Sequence, residues 1–133
     1  DELTLWIKKK KHTKTIICGD FNVAIFKDDV WSHKNLCNVV SHTEIERKKL
    51  YNFLESGNFI DVIRKFNNPP NNIFTWWSYR SPNFKVNNRG RRLDYIWTTK
   101  DLFKKTSNAQ ILSYTREWKK PSDHVPLTVD LKI

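Results

Sequence analysis

Three short apolar runs in this chain each meet a polar, chemistry-bearing motif at one end, and that pattern limits the fold more than any other feature. Thr15-Ile16-Ile17-Cys18 stops at Gly19-Asp20-Phe21-Asn22. A second run, Leu93 to Thr98, carries a carboxylate within Arg92-Leu93-Asp94-Tyr95-Ile96. Ser122-Asp123-His124 opens a third, Val125 to Ile133, in which Leu127, Val129, Leu131 and Ile133 alternate with other residues. Short apolar runs bounded by turn residues read as strands. The first has no polar alternation and is expected to be a buried central strand, with Cys18 a small buried hydrophobe. Polar side chains at strand ends can converge on one rim of a sheet. Three carboxylates, an amide and an imidazole gathered there would make a hydrolytic metal site. Carboxylate oxygens suit a hard divalent ion, and an Asp on one histidine nitrogen fixes the tautomer at the other.

The intervening segments supply helices. Residues Asp1 to Lys14 read as the end of an amphipathic helix with Leu3, Trp6 and Ile7 on one face and the basic run Lys8 to Lys11 at its end. Thr43 and Glu46 form a capping-box pattern ahead of Ile45, Leu50, Phe53 and Leu54, and Gly57 is the expected stop. Phe59 to Phe66 could be a strand or a short helix, the helix being preferred, and Asn67 to Asn72 reads as a loop. Ile73 to Tyr79 and Gln110 to Thr115 read as strands, and Ser81 to Gly90 as an exposed loop. Strands and helices interleave, which is a mixed α/β organisation.

At 133 residues the chain fits one ordinary domain. Its 24 Lys and Arg against 14 Asp and Glu give a formal charge of +10, which suits a polyanionic partner such as nucleic acid or an anionic membrane surface. No apolar run approaches the roughly 20 residues that span a bilayer, so a membrane protein is not expected. The two cysteines, Cys18 and Cys37, make no disulfide framework and no zinc-ligand spacing. A reducing, cytoplasmic setting is the simpler expectation. The chain holds no Met, even at position 1, which is the expectation for a processed end or a piece of something longer.

Each motif alone has a structural explanation. Gly19-Asp20 is also a plain turn, Asp94 can pair with Arg92, and Asp123-His124 can be a cap or turn. Their order is more specific. Gly-Asp-x-Asn, Arg-Leu-Asp-Tyr-Ile and Ser-Asp-His-x-Pro-Leu together resemble the endonuclease/exonuclease/phosphatase superfamily. Phe74-Thr75-Trp76-Trp77-Ser78-Tyr79-Arg80-Ser81, Asn88-Arg89-Gly90-Arg91-Arg92-Leu93-Asp94, Lys120-Pro121-Ser122-Asp123-His124 and Asp29-Val30-Trp31 look like its exonuclease III branch of abasic-site repair enzymes.

The resemblance implies a fold and a chemistry. The fold is the C-terminal half of a four-layer α/β sandwich: a mixed, largely antiparallel sheet with helices on its outer face. Residues 1–133 would then be a single partial domain whose inner sheet face is exposed or covered by another polypeptide. The expected N-terminal half carries a metal-binding Glu and a catalytic Tyr that no segment here matches. The activity implied is metal-dependent phosphodiester hydrolysis at abasic sites and DNA 3′ ends, with duplex DNA as partner. Asp20, Asn22, Asp94 and His124 would be catalytic. Asp20, Asn22 and Asp123 would hold Mg²⁺, with Mn²⁺ as the alternative. Trp76, Asn88, Arg89 and Arg91 would contact DNA, Trp76 at the pocket for an abasic sugar. Arg91 stands where relatives often carry an apolar pocket residue. Competing readings are a superfamily phosphatase and a non-enzymatic nucleic-acid-binding fragment.

Overall fold

Strand β3, Asp94–Thr98, is the centre of the molecule. The computed structural model describes residues 1–9, 11–71, 73–81 and 83–132. Lys10 of the basic run, Asn72 and Pro82 of the two expected loops and Ile133 of the last strand lie outside the described residues. β3 pairs antiparallel with β1 (Ile16–Asp20) on one side and β2 (Ile60–Asp61) on the other. β1 is therefore an edge strand of this sheet, not the buried central one that its apolar run suggested. Ile16 and Cys18 are exposed, which corrects the expectation of a buried cysteine. An edge strand covered on one face keeps only alternate residues from water.

The covered face carries Ile17, Tyr95 and Trp97. Tyr95 and Trp97 are fully buried against Ile25, Phe53, Leu54 and Phe59, and Phe21 stacks on Trp97 with ring centroids 4.9 Å apart. Helix α3 (Glu44–Ser56), third in chain order after α1 (Glu2–Lys8) and α2 (His33–Leu36), supplies Phe53 and Leu54. It starts where the sequence says, with Glu46 N–H donating to Thr43 Oγ1 and Thr43 N–H donating to a Glu46 carboxylate oxygen. Its end differs in cause. Gly57 does not take the left-handed conformation; Asn58 does, at φ 50°. Gly57 is needed because the Phe59 ring lies where a Cβ would stand. From α1 only Ile7 is buried, while Leu3 and Trp6 face water, so the expected apolar face shrinks to one residue.

Other segments also depart from expectation. The Phe59–Phe66 run splits into β2 and the short helix α4 (Val62–Phe66), whose first turn is capped by Asp61 accepting from Arg64 N–H at 3.1 Å. Residues 84–87 of the expected exposed loop form α5 (Phe84–Asn87). After α6 (Lys100–Phe103), β4 runs Thr106–Ile111, and Ser113–Glu117 is a 3₁₀ turn where a strand was expected. β4 pairs with β5 (Leu127–Leu131) around an irregularity between Ser107 and Gln110.

Ile73 to Tyr79 is extended, as read, and Ile73, Thr75 and Trp77 alternate inward. Among the described residues it pairs through single bridges, Trp76 with Arg91 on one side and with His124 on the other. That segment stitches residues 91 to 94 to residues 123 to 125, so all three motifs meet. Among the described residues no helix is long and apolar enough to cross a membrane.

Candidate active site

Strand register builds the site. In the β1–β3 ladder Asp20 stands directly opposite Asp94, so both carboxylates project from the same, uncovered face. The His124 ring lies between them. Its Nδ1 meets Asp94 Oδ2 at 2.9 Å and its Nε2 lies 3.8 Å from Asp20 Oδ2. A carboxylate on Nδ1 favours the tautomer with the proton there and leaves Nε2 to face the open rim. One ligand atom from each of Asp20, Asp94 and His124 lies within 4.8 Å of the others, a spacing that suits a divalent ion. His124 also lines a cavity of about 310 Å³ with Thr115, Trp118 and Ser122.

Two buried devices hold Asp94 in place. Thr75 Oγ1, wholly buried, accepts from both Leu93 N–H (3.0 Å) and Asp94 N–H (3.1 Å). Beneath them Arg92 is fully buried between Asp29 and Asp61, at 2.8 Å and 2.7 Å, with its guanidinium over the Tyr95 ring. Arg64 reaches Asp29 as well and makes a bidentate pair with Asp28. Burial works against the Arg92 charge, but Asp29 and Asp61 more than offset it, so the group is held above the usual arginine range. Burial pushes the Tyr95 phenol up, and its hydroxyl donates to Val23 carbonyl at 2.6 Å, fixing the loop after β1.

The other expected site residues are distributed around this centre. Asn22, at φ 52°, closes a turn in which its N–H donates to Asp20 Oδ1 (2.7 Å), and its own Oδ1 accepts from Ser41 Oγ. Asp123 does not join the carboxylate pair; its Oδ2 accepts from Trp76 Nε1 at 2.9 Å. Trp76 is half-buried beside His124. The Arg91 guanidinium lies 5.4 Å from the Trp76 ring centre, and Arg89 lies 4.9 Å from that of Trp31. Asn88 Oδ1 accepts from Trp77 Nε1, which ties it to the scaffold. The residue reading missed Thr75, Asp61 and Ser41 as positioning groups. A Thr between Phe74 and Trp76 in an alternating segment was the available signal for the first; the others depend on contacts between distant segments.

The chain is similar to known proteins over most of its length. The exodeoxyribonuclease III of Haemophilus influenzae is 30% identical over 137 aligned residues, covering 93% of this chain and 49% of that protein. An AP endonuclease structure from Archaeoglobus fulgidus superposes with a TM-score of 0.90 at 32% identity, over 98% of this chain and 51% of that one. The 3′ phosphatase NExo of Neisseria, solved with a product DNA hairpin, gives 0.87 at 26% identity, again over 98% and 51%. The chain thus spans about half the length of these relatives. Residues 1–124 match the Endonuclease/Exonuclease/phosphatase family. With the mixed α/β fold and the three motifs meeting at one rim, this chain belongs to that family.

Proposed function

We propose that this chain is the C-terminal, substrate-cutting portion of an exonuclease III-type DNA repair nuclease, hydrolysing phosphodiesters at abasic sites and 3′ ends of duplex DNA. The observation that carries the reading is the Asp20–His124–Asp94 constellation at the end of a paired strand register. The net charge of +10 suits the polyanion, and the relatives named above include an exodeoxyribonuclease III and an AP endonuclease.

In this reading His124, doubly protonated when the phosphate is bound, donates Nε2–H to a non-bridging phosphoryl oxygen while Asp94 accepts from Nδ1–H. Asp20, exposed and 3.8 Å from that imidazole, orients the attacking water and takes its proton. Asn22, anchored to Ser41 through Oδ1, presents its Nδ2 end to the phosphate. Asp20 and Asp94 would hold a divalent ion, Mg²⁺ or Mn²⁺, which would neutralise charge developing on the phosphoryl group. Asp123, bonded to Trp76, adds a third carboxylate beside the rim. The remaining metal ligand and the Tyr that the family resemblance implies come from a polypeptide outside these 133 residues. The partial coverage of the relatives supports that assignment.

The test is single-turnover incision of a duplex bearing one abasic site, with Mg²⁺ and with chelator, at high concentrations of the chain. Slow incision that needs the ion is expected. His124→Ala should lower the rate by about 10²- to 10⁴-fold, the usual scale for a positioned acid–base group. Incision indifferent to both the chelator and His124→Ala overturns the assignment.

A further inference from the structure

The single bridges place Val30, Arg91, Trp76 and His124 side by side on four adjacent extended segments. Partners in such bridges project from the same face, so Arg91, Trp76 and His124 form a row that leads away from the reacting centre. Arg91 lies over the Trp76 ring, with Cζ 5.4 Å from the ring centre, and its Nη1 donates to Val40 carbonyl at 2.9 Å. Val40 belongs to the segment before α3, so the guanidinium is tethered on two sides. A guanidinium offers five N–H donors. Among the described residues Nε and Nη2 of Arg91 have no hydrogen-bond partner, and no carboxylate lies within ion-pair distance. Arg64 and Arg92, by contrast, are each held by carboxylates. Partial burial without a counter-charge disfavours the Arg91 cation.

A half-buried cation, stacked in place and lacking its anion, beside a phosphoryl-handling histidine is arranged to receive an anionic group of the substrate. The same arrangement removes room for an uncharged one. One face of Trp76 lies under the guanidinium and its Nε1 is bonded to Asp123, so a bare sugar seeking that face must displace Arg91. Resting on the nuclease reading above, we infer that Arg91 sets substrate choice here, favouring a terminal phosphate on a DNA 3′ end over an abasic sugar.

Binding without divalent ions separates this from catalysis. Fluorescence anisotropy would compare three labelled duplexes: one with an internal tetrahydrofuran abasic analogue, one with a recessed 3′-hydroxyl and one with a recessed 3′-phosphate. The 3′-phosphate duplex should bind about tenfold tighter than either of the others, the scale of one charge-assisted contact. Arg91→Leu should erase that preference, weakening the 3′-phosphate duplex about tenfold and tightening the abasic one, because the Trp76 face is then open. Arg91→Lys, which keeps the charge but loses the planar fork, should retain only part of it. Thermal melts of both variants check the fold, and the Lys variant carries the comparison if Leu does not fold. Equal weakening on all three duplexes would make Arg91 a general backbone contact and overturn the inference while the nuclease reading stands. Failure of the folded wild-type chain to bind any of them would bring down both.

Discussion

Thr75 shows how much a single hydroxyl contributes to this site. It is the acceptor for two consecutive buried N–H groups, Leu93 and Asp94, at the point where β3 begins. Thr75→Val keeps the shape and leaves both donors unpaired. Each buried unsatisfied group costs about 1–3 kcal/mol, so a loss of about 2–4 kcal/mol is expected. Urea unfolding should show a lower midpoint with an unchanged slope, and Thr75→Ser should recover most of it. A Val variant as stable as the wild type would show that other acceptors serve these donors. At this scale the sequence was informative about chemistry and silent about support. Asp20, Asp94 and His124 were legible because carboxylates and an imidazole at the ends of apolar runs are costly unless used. The Asp123 bond to Trp76 was not legible, because it depends on where the 73–79 segment is stitched. Nor was the Asp29–Arg92–Asp61 group, whose members are separated by about thirty positions at each step.

Elements were legible where local rules decide them and misread where neighbours do. The α3 start follows from Thr43 and Glu46, a local pair. The edge position of β1 follows from which strand pairs where, so Cys18 turned out exposed despite its apolar company. One connection adds a pH response. His42 is fully buried; it lies 2.8 Å from Ala24 carbonyl through Nδ1 and 2.8 Å from His33 Nδ1 through Nε2, joining α2, the loop after β1 and the start of α3. Burial pushes both imidazoles below the usual histidine value, and Arg47 adds to that for both. Lys27 opposes the His33 charge, while the Ala24 carbonyl and Asp29 favour that of His42. A folded pKa below the unfolded one means that the unfolded chain binds more protons, so stability rises with pH. The contribution is complete above about pH 6.5, the unfolded value, and is lost as pH falls toward the folded values. Asp28, Glu44, Glu46 and Asp101 are held below the ordinary carboxylate range, so their loss comes at lower pH still. Urea midpoints should therefore drop between pH 7 and pH 5, and His42→Gln should flatten that slope. An unchanged slope in the variant would remove the imidazole pair as its source.

As a whole the molecule exposes more surface than its mass calls for. A compact monomer of 16.0 kDa should expose about 7,400 Å², and this chain exposes 8670 Å². The excess is of the order contributed by one side of a large protein–protein interface. It is not spread evenly. Ile16 and Cys18 face outward on β1, and among the described residues neither β4 nor β5 contains a fully buried side chain. A two-stranded sheet whose better-covered face is only half-buried is marginal in water. β3 and α3, in contrast, share the Trp97, Tyr95 and Phe53 core. Hydrogen exchange should therefore divide the chain. Tyr95 and Trp97 amides are expected to exchange only with global unfolding, and β4–β5 amides at least about a hundredfold faster, through local opening. The reading in which a second polypeptide completes the site and covers this face predicts that the fast set lies on β4, β5 and the free edge of β1, not on α3 or β2. Amides of β4 and β5 as slow as that of Trp97 would mean that these strands already share the stability of the core, and a completing partner would then have to dock elsewhere.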